Sequence, residues 1–458
     1  MDKMKRRAAI ATMGAFSLGL TAPRLLNGEV IQRPQPIKKE TLHTDILVIG
    51  GGTAGVVAAI QAGRAGKKTI LVENGSMLGG TTTTGGVAFP GLFFAWGKQV
   101  IGGIGWELVQ EAVALNDDQL PDFSVPHGRQ HWKHQVHLNG PLYALVIEDK
   151  CVEAGVDIRF YETPAEIVEH PKGGWKVTTV GKGTQTEIVC NQLIDCTGNA
   201  LAVSLAGFNR LRGAEIQPGT LMFRIGGYSL DQLDMPQITR AFKEAVDRGI
   251  LIKGEFLNVG SLLHKAGDNV QHIAAADATT STSHTIANLK GRASLLRTVK
   301  FLRTLPGLER LKVLDMQHET ASRETYRIDS TYQITHEDYV TGRIFDDAVS
   351  YSYYPIDLHD ENGVVPKHLK EGFVATIPLR ALIPQGSRNL IVAGRCLGSD
   401  RLANSALRVQ ASCMGMGQAA AAAAVIAHSQ GKTPADVPMA DLRQLLTGHG
   451  AIVPAQYT

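Results

Sequence analysis

The chain has 458 residues, 46 basic and 43 acidic, with a net charge of +3, which gives length for two or three lobes around a large core. No dense basic block lies beyond the N-terminus, which argues against a nucleic-acid partner. Five cysteines, at 151, 190, 196, 396 and 413, are scattered without a CxxC pair. That spacing argues against a disulfide framework, a zinc site or a redox dithiol, and buried thiols are expected.

"MDKMKRRAAIATMGAFSLGLTAP" sets Lys3, Lys5, Arg6 and Arg7 before an apolar stretch. The stretch, about fifteen residues, is too short and too weakly hydrophobic for a membrane span. Residues 1–28 read as an export signal leading to the periplasm, with Arg6-Arg7 resembling the twin-arginine type. A basic tail is the rival reading. Twin-arginine export carries folded proteins, which suits one that takes up a cofactor first. Residues 29–43 read as a linker.

From Ile46 the apolar pattern changes. Ile46–Ile49 reads as a buried strand, Val56–Ala65 as a helix and Thr69–Val72 as a second strand, together a βαβ unit. Residues 90–140 read as a loop or insert around a helix at 104–115, and a second helix is expected at 141–155. Strands follow at 156–170, 174–180 and 186–198, closing a first segment, 44–215. Residues 216–375 alternate short strands, helices and polar loops, as expected of an inserted substrate or cap lobe. Residues 376–430 return to the first domain through a strand at 389–396 and one long helix, Ala406–Ala427. Residues 431–458 read as a C-terminal tail.

Gly50-Gly51-Gly52-Thr53-Ala54-Gly55 satisfies GxGxxG between that first strand and helix. Gly50 permits the tight turn, Gly52 lets the backbone approach a pyrophosphate, and Gly55 allows close helix–strand packing, with the phosphates on the helix N-terminus. Glu73 ends the second strand, where an acid accepts bonds from ribose hydroxyls. Gly415-Met416-Gly417-Gln418-Ala419-Ala420 nearly repeats the motif, but it has no preceding strand and reads as helix packing. One dinucleotide site is expected.

The residues after Glu73, "ENGSMLGGTTTTGG", separate NAD from FAD. With "NQLIDCTGNALAVSLAG", "SRETYRIDSTYQITHEDYVTGRIFDDAVSYSYYPIDLHD" and "SRNLIVAGRCLGSDRLANSALRVQASCMGMGQAAAAAA", the chain resembles the FAD-dependent oxidoreductases of the glutathione-reductase type over roughly 44–428. Within them it resembles a bacterial group whose substrates are mostly unassigned. The resemblance implies an α/β fold: a Rossmann-like FAD-binding domain, with a parallel sheet, helices and a small β-meander, carrying an inserted mixed α+β lobe. It implies FAD as cofactor, with Asn74, Gly79, Gly80 and Thr81 along it and the Ala165 backbone at the adenine. Gly198, in Asp195-Cys196-Thr197-Gly198, would turn beneath the pyrophosphate, and Gly394, Arg395 and Cys396 would approach the ribityl chain. A helix starting near Ser405-Ala406-Leu407 would point its positive end at the flavin ring, where reduced flavin is anionic.

No disulfide pair, second nucleotide motif or His-Thr covalent attachment site is evident. The expected function is that of a flavin dehydrogenase or oxidase taking a hydride from a small hydroxylated substrate, with sugar derivatives among the candidates. The alternative is a flavin-bound electron carrier or partner-dependent subunit; an NAD-linked reductase is a third. Electron acceptor and oligomeric state are left open. His359, between Asp357 and Asp360, is the candidate base, or else caps a loop. Arg323 is the second candidate catalytic residue: with Glu324 it would hold the substrate or flavin, or else form a structural ion pair. Tyr353 and Tyr354 would stack on a sugar or fill the core. His127, His131, His134 and His137 lack an HExxH glutamate and fall beside Pro126 and Gly128, so a loop is expected there and no metal site.

Overall fold

The computed structural model describes residues 36–360, 363, 364 and 366–454. The expected export signal therefore lies outside the described residues. The described residues from Lys39 onward form one compact unit. The end of the expected linker is strand, because β1 runs Lys38–Ile49.

Four successive side chains of β1, Ile46 to Ile49, are buried, as in a strand covered on both faces. Helix α1 (Thr53–Arg64) follows, and β2 (Thr69–Glu73) pairs in parallel with β1, Ile46 opposite Thr69 and Ile49 opposite Val72. Helices α2 (Ile104–Leu115) and α3 (Gly140–Glu153) precede β3 (Val156–Phe160), which extends the parallel sheet beyond β2. Then β4 (Thr163–Glu169), β5 (Trp175–Gly181) and β6 (Thr184–Asp195) form an antiparallel meander, giving the order β3-β2-β1-β6-β5-β4.

The lobe follows as β7 (Thr220–Gly226), α4 (Met235–Asp247), α5 (Val259–His264), α6 (Ser281–Leu302) and β8 (Lys312–Ala321). Strands β7 and β8 pair antiparallel, and Phe223, Ile238, Phe242, Leu262 and Leu302 make a core of their own. That separate core covers 221–311, less than the 216–375 expected. Beyond it, β9 (Ala348–Ser352) and β10 (Ala375–Pro378) pair antiparallel, and Val349 and Ile377 join the main core. Strand β11 (Leu390–Val392) returns to the sheet, parallel to β6.

The expected helix at 406–427 is two helices, α7 (Arg401–Leu407) and α8 (Gln410–Gln430), bent 90° apart. Asp400 caps α7 by accepting from the Ala403 amide (2.7 Å), and Val409 between them is extended. The Ala411 amide then donates to the Pro90 carbonyl (2.8 Å). Along α8, a Cβ on Gly417 would come within 2.2 Å of the Ala54 carbonyl, so the second glycine cluster is a helix-crossing point. The expected tail holds α9 (Met439–Gly448), whose Leu442 and Leu446, one turn apart, are buried in the main core. Among the described residues, no single helix is long and apolar enough to cross a membrane.

Candidate active site

The glycine turn joins β1 to α1. Gly50 has φ +99°, and a Cβ there would lie 2.6 Å from the Cys196 carbonyl oxygen. Gly55 lies beneath the turn: its Cβ would sit 1.8 Å from the Gly50 oxygen. At Gly52 the situation reverses, because a Cβ would meet nothing within 4 Å. Gly52 lines a cavity of about 550 Å³ and caps α1 without a side-chain hydrogen bond. The first turn of α1 thus offers amides without a capping side chain to whatever fills the cavity, the arrangement that binds phosphate.

Glu73 also lines the cavity, and one carboxylate oxygen accepts from the Gly51 amide (2.8 Å), the other from Gly75 (2.6 Å). Burial pushes its carboxyl above the usual range, against the pull of those two amides. A carboxylate has about four acceptor sites, so these amides leave Glu73 room to accept a ligand hydroxyl. Glu73→Ala is expected to weaken cofactor affinity about ten- to hundredfold, the loss of roughly 1.5–3 kcal/mol of hydrogen bonding, as read by equilibrium dialysis. Its apoprotein should also melt lower, since two turn amides lose their acceptors. Unchanged affinity would remove Glu73 from the binding surface.

The LGG segment doubles back onto this turn. The Gly79 amide donates to the Gly51 carbonyl (2.8 Å), placing Gly80 and Thr81 on the cavity wall with Gly79 behind them. Thr53 and Thr82 share a 3.2 Å hydroxyl contact, Thr82 donates to Oε1 of Gln410 (2.7 Å), and Gln410 Nε2 donates to the Val87 carbonyl (2.7 Å). Helix α8 therefore opens onto the cavity through Gln410.

Asn74, Thr53, Ala54, Gly198, Gly394 and Arg395 also line the cavity. Arg395 is fixed by donating from Nε to the Gly198 carbonyl (2.9 Å). Four expected positions lie elsewhere, one of them Cys396, which is fully buried behind the wall that Arg395 lines. Ala406 and Leu407 are fully buried at the end of α7, because the chain bends there and α8 supplies the helix start instead. Ala165 is exposed at a bulge after Pro164, and Thr163 and Pro164 line the cavity in its place.

Arg323, just beyond β8, and Arg408, in the bend before α8, line the same cavity. Nη1 of Arg323 donates to the Pro218 carbonyl (2.5 Å). Burial and the Arg408 charge lower the Arg323 guanidinium to about 10, so it stays charged at neutral pH. Glu324 does not pair with it: Glu324 accepts from Arg401 (2.9 Å) and from the Gln217 amide (2.6 Å).

His359 is not on the cavity wall but adjoins it through Arg408, whose Nη2 is 3.4 Å from Asp357 Oδ2. Asp357 Oδ2 is also 3.2 Å from His359 Nε2, and His359 Nδ1 is 3.4 Å from His272 Nε2. Burial pushes the Asp357 carboxyl up, but His359, Arg408 and Arg323 outweigh it and hold it at about 2. Burial lowers both imidazoles, His272 to about 4. The tautomers follow. An ionised carboxylate only accepts, so His359 donates from Nε2 and accepts at Nδ1; His272 then donates from Nε2, leaving its Nδ1 as an acceptor. The lone His272 in "NVQHIAA" carries no sequence pattern that would single it out.

The remaining candidates are structural. His131 is buried between the rings of Tyr354 and His368, and His134 Nε2 contacts the Val125 carbonyl (2.8 Å). Tyr353 and Tyr354 are buried in the main core. Among the described residues, no group of three His, Cys, Asp or Glu is arranged to hold a metal ion. All five cysteines are buried and unpaired.

A family model described as FAD dependent oxidoreductase matches residues 45–446. The chain belongs to that family. Its cofactor is FAD. Sarcosine oxidase subunit alpha from Rhizobium meliloti (strain 1021) is 50% identical over 48 residues, 10% of this chain and 5% of that protein. Pseudooxynicotine dehydrogenase from a Pseudomonas species is 42% identical over 77 residues, 17% of this chain and 15% of that one. The chain thus spans under a fifth of the length of these curated relatives. Among solved structures, a geranylgeranyl bacteriochlorophyll reductase-like protein from Thermoplasma acidophilum shares 12% identity at a TM-score of 0.42, covering 89% of this chain and 82% of that one.

The cavity suits FAD on its own chemistry. A dinucleotide needs amides for its pyrophosphate and an acceptor for its ribose, and the Gly52 edge of α1 and Glu73 supply both. The free space where a Gly52 side chain would stand is where a phosphate can approach.

Proposed function

We propose that the protein is a flavin dehydrogenase or oxidase that takes a hydride from a small hydroxylated substrate. The observation carrying this reading is the ordered His272–His359–Asp357 array, tied through Arg408 to the FAD cavity. Bound FAD would supply the hydride acceptor. The chain's part is to take the hydroxyl proton, and the free Nδ1 of His272 is the acceptor at the end of the array. Asp357 orients His359, which in turn fixes the His272 tautomer and shares the positive charge that arrives. In the same reading, Glu73 would accept from the FAD ribose, Gly52 and α1 would meet the pyrophosphate, and the start of α8 would face the flavin ring. The basic and apolar run after Lys3 supports export to the periplasm.

Anaerobic mixing of purified protein with sugars, hydroxy acids and alcohols should bleach the flavin with at least one class. With that substrate, His272→Ala and His359→Asn should bleach some 10²–10⁴-fold more slowly, the usual size of a general-base contribution, at unchanged flavin content. Parent-like rates in both variants would end the proton-acceptor role. If no hydroxylated compound bleaches the parent, the dehydrogenase reading fails and an electron-carrying role replaces it.

A further inference from the structure

Three guanidinium groups, those of Arg323, Arg395 and Arg408, line one cavity. Arg395 is held by backbone carbonyls, but Arg323 and Arg408 share a corner whose adjoining carboxylate is Asp357. Asp357 is already engaged by His359, and Arg408 Nε is buried with no hydrogen-bond partner among the described residues. The corner is therefore short of one negative charge and at least one acceptor. Unpaired buried charge is costly, so a site built this way is completed by an anion.

Given the hydride-abstracting reading of the site, we infer that the substrate carries a carboxylate and that Arg323 and Arg408 hold it. Two counter-ions compete: the FAD pyrophosphate and the flavin ring, which becomes anionic only on reduction. The pyrophosphate would be met by the α1 amides at the Gly52 turn and the oxidised ring is neutral, so the charge excess at Arg323 and Arg408 would remain before any substrate is oxidised. A substrate carboxylate meets it at that stage, when the substrate must be oriented. Both arginines are rooted in fixed backbone, Arg323 through Pro218 and Arg408 through its 3.3 Å bond to the Asp357 carbonyl, so neither must be ordered on binding. His359 and Arg408 both meet Asp357 Oδ2, at 3.2 and 3.4 Å, which puts the anion site and the proton-accepting array in one neighbourhood. The substrate class is then a small hydroxycarboxylate, with sugar acids inside it and neutral sugars outside.

The test uses the FAD-loaded, oxidised protein and needs no turnover. Acetate and pyruvate are titrated against the neutral acetamide and acetone, with the flavin absorbance difference spectrum as readout. The carboxylates should perturb the spectrum saturably, and the neutral compounds should not. Arg323→Gln and Arg408→Gln should each weaken carboxylate binding by at least tenfold, and Arg408→Lys by less. Equal response to carboxylates and neutral compounds, already measurable in the parent, would overturn the inference. So would variants that bind carboxylate normally while their flavin midpoint potential falls, since the arginines would then serve the reduced ring. The His272 and His359 variants separate the two readings: slow or absent proton removal with intact carboxylate binding leaves the anion site standing.

Discussion

Gly52→Val is expected to purify colourless, while its apoprotein unfolds at the temperature of the parent apoprotein. The backbone at Gly52, φ −71° and ψ −175°, is open to any residue, and a Cβ there meets no protein atom within 4 Å. The protein thus has no reason of its own to require glycine; the requirement comes from the ligand, whose pyrophosphate must approach that backbone. Filling the space should cost at least a hundredfold in FAD affinity, beyond about 2.7 kcal/mol. Flavin-to-protein absorbance after dialysis gives the first quantity and apoprotein thermal unfolding the second. A yellow Gly52→Val protein would move the pyrophosphate away from this turn.

Three residues further on, the same substitution should produce the opposite pattern. A Cβ at Gly55 would stand 1.8 Å from the Gly50 oxygen and 3.1 Å from Cys196 Cβ, so α1 could not keep its distance from the sheet. Gly55→Val is expected to destabilise the apoprotein by more than about 4 kcal/mol, the range of severe core disruption, or to leave it insoluble. Denaturant midpoints of the apoproteins decide it. Should Gly55→Val unfold at the parent's midpoint, close contact between helix and strand would not be what glycine supplies here.

The βαβ unit was readable because strands buried on both faces write an unbroken apolar run, Ile46–Ile49, beside glycines whose spacing has one main use. The bend at Arg408–Val409 was not. Residues 401–430 hold no proline to mark a break, and the bond that ties the chain just after the bend, from the Ala411 amide to the Pro90 carbonyl, reaches some three hundred positions away. Arg408 and Gln410 were missed for that reason. The segment carrying His272 is flanked by the isolated Gly219–Ile273 and Phe256–Gln271 bridges, and such bridges leave no local signature. Leu442 and Leu446 in α9 were legible as a helical pair, but the short span between polar ends disguised them as a tail.

The hydroxyl bond from Thr82 to Gln410 spans 328 positions of chain. At five to twenty residues per second, a ribosome needs roughly 16–65 s to travel between them. For that interval the glycine turn exists without the wall that faces it, and neither Arg408 nor the start of α8 has been made. Cofactor capture is consequently a late event in the life of each molecule, after most of the polypeptide has emerged. Because a ligand that binds only the finished cavity stabilises it in proportion to the logarithm of its free concentration, FAD adds to the stability of a new chain only after Gln410 has been made.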